Sequence, residues 1–461
     1  MMKKTVSLSR QGLIQSRHCT LWQAVASRQA GELVPACFRL SGLLWPDQCN
    51  LTFCVDHTTL ITATTFERKR IMPVINRLAE KHAEMTGWRH QLHAHPELCY
   101  EEEWTADFVA ARLAEFGLEV HRGLGKTGLV GVLRGSGDSQ RAIGLRADMD
   151  ALPMQEANEF SHKSKIDGRM HACGHDGHTT MLLGAAAYLA ETRNFDGTVY
   201  FIFQPAEEGG AGGQAMIDDG LFEKFQMDTV WGLHNWPGLE VGKIAVHRGP
   251  CMASADMFTL TISGRGSHAA MPHQSADPVL AAAAIIQTLQ MIVSRRTDPM
   301  DPAVVSVTQV NGGTAHNIIP DTVSLCGTAR AVRPETRARL EADIAEIAAQ
   351  VAKAHGCSAE MVWRKGYPPT VNHLASAERA AGVAATLVGD DQLVMDPPAS
   401  MGAEDFSFLL GACEGAYIWL GAGPAEEGRM LHNTGYDFND EILPLGASYW
   451  AQLVEAELPR R

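Results

Sequence analysis

The chain lacks a basic excess: 39 Lys and Arg stand against 53 Asp and Glu, a formal charge of −14 at pH 7. It has neither a basic run nor an aromatic stripe interleaved with one, which argues against nucleic acid as a partner. An anionic substrate remains open, because local arginines can dominate a pocket. No apolar run approaches the ~20 residues of a membrane span, so no membrane partner is expected. Ten cysteines in 461 residues are too few for a disulfide scaffold. Cys99, Cys173, Cys251, Cys326, Cys357 and Cys413 lie scattered without paired spacing, as in reduced cytosolic enzymes. A cytoplasmic location is expected. Internal repeats and low-complexity tracts are absent too. What remains is an ordinary soluble composition, 45% hydrophobic and 20% charged. At this length two or three domains are expected.

The first seventy residues differ from the rest. They hold Cys19, Cys37, Cys49 and Cys54, and nine Lys or Arg against four Asp or Glu. Lys3 and Lys4 precede Thr5-Val-Ser-Leu-Ser-Arg10, which breaks off before an apolar core forms, so this is a poor signal peptide. A helical period becomes regular only from Ile71-Met-Pro-Val-Ile onward. Residues 1–71 therefore read as a non-native or disordered leader.

From Met72 the pattern alternates helix and strand. Residues 75–115 read helical, broken at His95-Pro-Glu97. Residues 129–133, 142–145, 198–203 and 229–233 are short apolar runs typical of buried strands, and 178–191 is a strong helix. Such alternation predicts an α/β domain with a mostly parallel sheet and helices on both faces. Residues 254–365 have another grammar: strand, helix, strand, strand, helix, strand. That is the ferredoxin-like split motif, an α+β domain inserted between catalytic halves at 72–253 and 366–461.

Two stretches carry the chemistry. His171-Ala-Cys-Gly-His-Asp-Gly-His178 offers thiolate and imidazole at two-residue spacing. In an extended loop Cys173 and His175 project the same way and can grip one ion. A lone cysteine is more often inert core, but here histidines flank it. His171 and His178 are weaker candidates, and His178 could simply cap the helix. Gln204-Pro-Ala-Glu-Glu-Gly-Gly210 offers adjacent carboxylates after a predicted strand. Adjacent at a strand end, Glu207 and Glu208 are expected to point to opposite sides, one free to bind an ion and the other to face the water. The bland reading, a solvated acidic turn, fits poorly directly after Phe201-Ile-Phe203. His234 and His432 gain weight only as members of this set. Asp148 and Asp150 are turn caps or orient a ligand imidazole. Gly264-Arg-Gly-Ser-His268 hints at phosphate but lacks a lysine or helix context. His268 is better read as a donor to a substrate carbonyl or carboxylate.

These residues, with Leu92-His-Ala-His-Pro-Glu97, Arg146 to Pro153, His234-Asn-Trp-Pro237, His316-Asn-Ile-Ile-Pro320, Met401-Gly-Ala-Glu-Asp-Phe406 and Leu431-His432, give the chain its likeness. From Met72 to the C-terminus it resembles the M20 metallopeptidase clan. Within that clan it is similar to the amidohydrolase subgroup of hippurate hydrolases, N-acyl-amino-acid amidohydrolases and auxin-conjugate hydrolases. The resemblance implies one or two divalent ions (Zn, Mn, Co or Ni) held by Cys173, His175, Glu208, His234 and His432, with Glu207 as general base. Asp148 stands where related peptidases carry a histidine ligand. The inserted domain is implied to act as a lid and dimerisation element, forming a homodimer or higher homo-oligomer. His268, Asn317 and Arg330 are implied to contact a small N-acyl amino acid substrate. The rival readings are an N-acetyl-diaminopimelate-type deacetylase, a dipeptidase of the same clan, and a metal-binding scaffold without catalysis.

Overall fold

The computed structural model describes residues 73–426 and 429–460, together with a two-residue ladder pairing Cys37–Phe38 with Phe53–Cys54. The expected leader and its boundary at Met72 otherwise lie outside the described residues.

In chain order, a short turn of helix at Asn76–Glu80 is followed by α1 (His82–His93) and α2 (Glu103–Glu115). Strands β1 (Glu119–Leu124), β2 (Gly128–Arg134) and β3 (Ala142–Asp148) precede the long helix α3 (His175–Thr192). After it come β4 (Thr198–Gln204), β5 (Thr229–Pro237) and β6 (Ile244–Val246). The inserted segment contains β7 (Asp256–Ser263), α4 (Pro278–Met291), β8 (Ala303–Gly312), β9 (Thr322–Ala331), α5 (Pro334–Ala354) and β10 (Ser358–Arg364). The chain then returns with α6 (Leu374–Val388), β11 (Leu393–Met395), a helix at Phe406–Ala412, β12 (Gly415–Gly423) and α7 (Leu443–Glu457).

The main sheet runs β11-β6-β12-β5-β3-β4-β2-β1. Its centre is parallel: β3 pairs in parallel with β4 and β5, and β12 with β5. Antiparallel β2 and β1 close one side. Central strands are buried along their whole length, which is why they read as unbroken apolar runs. Helix α3 is buried nearly all round, with Met181, Leu182, Leu183 and Leu189 inaccessible. Each such side chain contributes about 1.5–3 kcal/mol by leaving water. Gly184 lets α1 approach, since a Cβ there would meet Met85 Sδ at 2.4 Å.

The second sheet, order β8-β9-β7-β10, is antiparallel throughout and packs one face on α4 and α5. Alternating burial along β7 leaves its other face open, with Met257 and Val362 exposed. One expectation is corrected here. The segment Pro278–Arg296, α4 plus its π-turn continuation, is long and apolar enough to meet the length and composition of a membrane span. Small apolar residues raise its average, and Ala281, Ala282, Ile285, Leu289 and Ile292 are buried in the core of this sheet.

Candidate metal centre

The carboxyl ends of the parallel strands converge, which is where open α/β sheets form their sites. Strand β3 delivers Arg146 and Asp148, with Asp150 just beyond. Past β4, Pro205 and a left-handed Ala206 lead into a turn carrying Glu207 and Glu208. His234 lies within β5, opposite Trp419 of β12. Cys173 precedes the N-terminus of α3 and His175 is its first residue, separated by Gly174 at φ 103. His432, itself at φ 60, is fixed by its amide donating to Ala172 O at 2.7 Å.

Three overlapping groups of ligand atoms each lie within 4.8 Å of one another: Cys173, His175 and His234; Cys173, Glu208 and His432; His175, Glu207 and Glu208. Cys173 Sγ stands 3.4 Å from His234 Nε2, and His432 Nε2 stands 3.2 Å from Glu208 Oε1. His175 Nε2 is buried without a hydrogen-bond partner, and Glu208 Oε1, buried as well, faces His432 Nε2. An orphaned buried polar atom costs about 1–3 kcal/mol. Both atoms belong to ligand groups sharing one space, and sulfur, imidazole and carboxylate form a donor set suited to a divalent transition ion. The residues present fit such an ion.

The surrounding groups aim these atoms. His175 Nδ1 bonds Asp150 O at 2.9 Å, leaving Nε2 free. The Asp150 carboxylate accepts the amides of Glu207 (3.0 Å) and Glu208 (2.8 Å) and meets the same imidazole at 3.3 Å, so one residue holds both a ligand imidazole and the acidic turn. His234 Nδ1 donates to Asn235 O at 2.7 Å, turning Nε2 toward Cys173. His178 is engaged on both nitrogens, by Asp148 at 2.6 Å and by Asn235, so it is not available as a ligand. His171 is buried with neither ring nitrogen bonded and belongs to none of the ligand groups. Burial pushes it down to about 4.

Burial and the neighbouring Glu404, Glu208 and Asp405 raise Glu207 well above the usual carboxyl range. Burial pushes Asp405 up to about 7, although Arg146 opposes it. Burial alone would raise Asp148, but Arg146, His175 and His178 hold it far down. The Cys173 thiol is raised by burial and by Glu208. His432 is lifted to about 10 by its bonds to Cys173 and Glu208. The pocket thus gathers more carboxylate and thiol than its own cations neutralise. A bound cation inverts that balance and deprotonates a ligating thiol.

Residues 144–456 match the family described as Peptidase family M20/M25/M40. This chain belongs to that family. Among M20 relatives, hippurate hydrolase of Campylobacter jejuni is 44% identical over 382 residues, covering 83% of this chain and 98% of the relative. IAA-amino acid hydrolase ILR1-like 4 of Arabidopsis thaliana is 40% identical over 376 residues, covering 80% and 84%. A crystal structure of a dinuclear metal binding M20 peptidase from Bacillus subtilis aligns with TM-score 0.72 at 34% identity, covering 82% of this chain and 98% of that one.

In this M20 chain Cys173, His175, Glu207, Glu208, His234 and His432 are brought together. The two glutamates sit in a turn, so the pleat argument for opposite sides does not apply; both join a group with His175. His268, Asn317 and Arg330 are not part of the cluster. His268 is exposed and its Nδ1 accepts from Ala270 N. Asn317 is exposed, its carbonyl bonded by Ala269 N. Arg330 is half-buried on β9, lowered by burial with Asp256 opposing. Sequence reasoning missed the roles of Arg146, Asn235, Tyr367, Glu404, Asp405 and Tyr436. Of these, Arg146, Asn235, Glu404 and Asp405 lay in blocks that carried the resemblance, and the signals for Tyr367 and Tyr436 were long-range.

Proposed function

We propose that this chain hydrolyses the amide bond of N-acyl amino acids, releasing a carboxylic acid and a free amino acid, with Cys173, His175, Glu208, His234 and His432 holding one or two divalent ions. The observation that carries the reading is the convergence of those five side chains, with His175 Nε2 orphaned among them, beside the buried carboxyl of Glu207. The names of the relatives, a hippurate hydrolase and an IAA-amino acid hydrolase, support the substrate class. The dinuclear neighbour supports a centre of more than one ion, with Zn, Mn, Co or Ni as candidates.

When bound, such an ion supplies Lewis acidity and a water acidified toward neutrality. Glu207 accepts the water's proton and returns it to the departing amino-acid nitrogen. Its carboxyl is buried and lies in one group with His175 and Glu208, beside the residues that would hold the ion. His268 donates to the carbonyl oxygen as negative charge develops, and Asn317 and Arg330 engage the substrate carboxylate. Because these three stand on the inserted domain, they reach substrate by closure of residues 254–365 over the halves 72–253 and 366–461, or across a homodimer. Exposed Val279, Leu280 and Met291 on α4, and Val310 on the edge strand β8, support self-association through this domain. A cytoplasmic setting is proposed from the free thiols among the described cysteines.

The test is direct. Metal-loaded protein is assayed on benzoyl-, acetyl- and indoleacetyl-amino acids and on a dipeptide. Turnover of the acyl amino acids above the dipeptide supports the reading; preference for the dipeptide overturns it.

A further inference from the structure

The chain passes between its two sheets at residues 253–255 and again at residues 365–369. Tyr367 lies on the second passage and is tied to the first, since its carbonyl accepts from Ala255 N at 3.0 Å. Its neighbour Gly366 is bound on both sides: the amide donates to Asp256 Oδ1 at 3.0 Å, and the carbonyl accepts from Arg337 Nη2 at 3.0 Å. Arg337 of α5 in turn grips Asp256 of β7 through Nε and Nη2 at 2.8 and 2.7 Å. The backbone at 366–367 therefore follows the base of the second sheet.

The side chain of Tyr367 reaches the other way. Its hydroxyl donates to the carbonyl of Glu207 at 2.5 Å and accepts from the amides of Gly209 (2.9 Å) and Ala211 (3.1 Å). One donated and two accepted bonds use the full capacity of a phenol. Burial raises its pKa, so the hydroxyl keeps the proton it donates. The turn it grips is strained: Ala206 and Ala211 both have φ 54, a left-handed region that non-glycine residues rarely adopt. Such a turn holds its shape only while its ties persist. Asp150 takes the amides of Glu207 and Glu208, Glu102 takes the amide of Ala206, and Tyr100 donates to Gly210 O. All three belong to the main-sheet body. Among the described side chains bonded to this turn, Tyr367 is the one carried by the passage to the inserted domain.

We propose that Tyr367 is a positioning residue that makes the orientation of the Glu207 carboxyl depend on how residues 256–364 are seated. Its hydroxyl fixes the Glu207–Ala211 turn while its backbone is fixed to Ala255 and, through Gly366, to Asp256. The inference rests on Glu207 being the group that moves the proton. A shift of the passage pulls directly on the carbonyl of the residue whose carboxyl must meet the substrate, where displacement by ~1 Å can cost about 100-fold.

The experiment uses the full chain loaded with one divalent metal and compares Tyr367→Phe, Glu207→Gln and the double variant. Phenylalanine keeps the ring that packs edge-on against Phe408, with centroids 5.8 Å apart. Tyr367→Phe is expected to lower kcat by about 10- to 100-fold with KM within about twofold, while metal content and melting temperature stay at wild-type values. In the Glu207→Gln background the same change is expected to alter residual turnover by less than about twofold, because the group it positions has lost its function. Lys365→Ala, on the same passage but exposed, is expected to keep wild-type turnover. Equal losses from Tyr367→Phe in both backgrounds, a change confined to KM, loss of metal or early melting, or an equal loss from Lys365→Ala would each overturn the proposal. Wild-type turnover by Glu207→Gln alone overturns the assignment of Glu207 and this inference with it. That result is distinct from an inactive Glu207→Gln beside a fully active Tyr367→Phe, which overturns the inference alone.

Discussion

Arg146 donates from Nη1 to Asp148 Oδ2 at 2.6 Å, and both side chains are wholly buried. The same guanidinium reaches Glu404 Oε1 and Asp405 Oδ1, each at 2.9 Å, and Gln204 Oε1 at 2.9 Å. One cation thus bridges the carboxylates behind Glu207 and behind His178 and offsets part of their charge. Removing one partner of a buried ion pair leaves uncompensated charge and typically costs about 3–5 kcal/mol. Arg146→Met should lower unfolding stability by that order. A urea denaturation midpoint matching the wild type would refute this account of the cluster.

Glu207 and Glu208 are neighbours with different expected losses. Glu207→Gln should cut kcat by about 100- to 10,000-fold with metal content unchanged, as for loss of a general base. Glu208→Gln should instead lower the metal-to-protein ratio. Elemental analysis alongside turnover separates the two, and a Glu207→Gln protein depleted of metal would reverse the assignment.

Stripping the metal should abolish turnover and lower the melting temperature, because the orphaned Nε2 of His175, the Glu208 carboxylate and the buried Cys173 lose a shared ligand. Dialysis against a chelator, then refilling with Zn, Mn, Co or Ni, should restore both. Cys173→Ser should need far higher metal concentrations for the same recovery. Full activity after exhaustive chelation would argue for another chemistry.

His93 gives stability a pH dependence. Burial opposes its charge, but hydrogen bonds to Asp176 at 2.8 Å and Glu156 at 3.2 Å hold the imidazolium, lifting it from 6.5 to about 9. A folded-state value above the unfolded one means the contribution is complete below the unfolded value of 6.5 and drains away as pH climbs through about 9. Melting should therefore occur a few degrees lower at pH 9.5 than at pH 6.5, and His93→Asn should flatten that difference. A wild-type melting temperature that rises over this interval contradicts the assigned charge.

Arg330 is the sharpest test of substrate capture by the inserted domain. Arg330→Ala should raise KM for an acyl amino acid by about tenfold or more, the size of one charged hydrogen bond to a carboxylate. An unchanged KM removes Arg330 from the site.

Local chemistry was the legible part of the site. Cys173 and His175 are two residues apart at a helix start, and Glu207 and Glu208 are adjacent, so a short window displays them. His234 and His432 are individually ordinary histidines and became candidates only through the set and the family likeness. The Arg146 cluster joins residues 258 and 259 positions apart, and Asn235 meets Tyr436 across 201. No local pattern announces a contact that exists only because β3 lies beside β5 and the chain returns past β12. The fold shows the same division. Helix α5, at Pro334–Ala354, takes the place of the second helix in the order expected for residues 254–365. Strand β2 was legible at residues 129–133, but β1 and its antiparallel pairing went unread, although Gly123-Leu-Gly-Lys-Thr-Gly128, with Gly123 and Gly125 at positive φ, is a hairpin signal.

Gly174 stands between two of the donor residues and admits nothing larger than hydrogen. Its φ of 103 is foreign to side-chain-bearing residues, and a Cβ would come within 2.2 Å of Asn235 Oδ1. A methyl group at 174 would displace the amide that orders His178 and, through its own backbone carbonyl, His234. The gap separating thiol from imidazole is therefore guarded by bulk as well as by bonding. A mutation in this tripeptide's silent middle letter would strike the ion's cradle while deleting none of its donors.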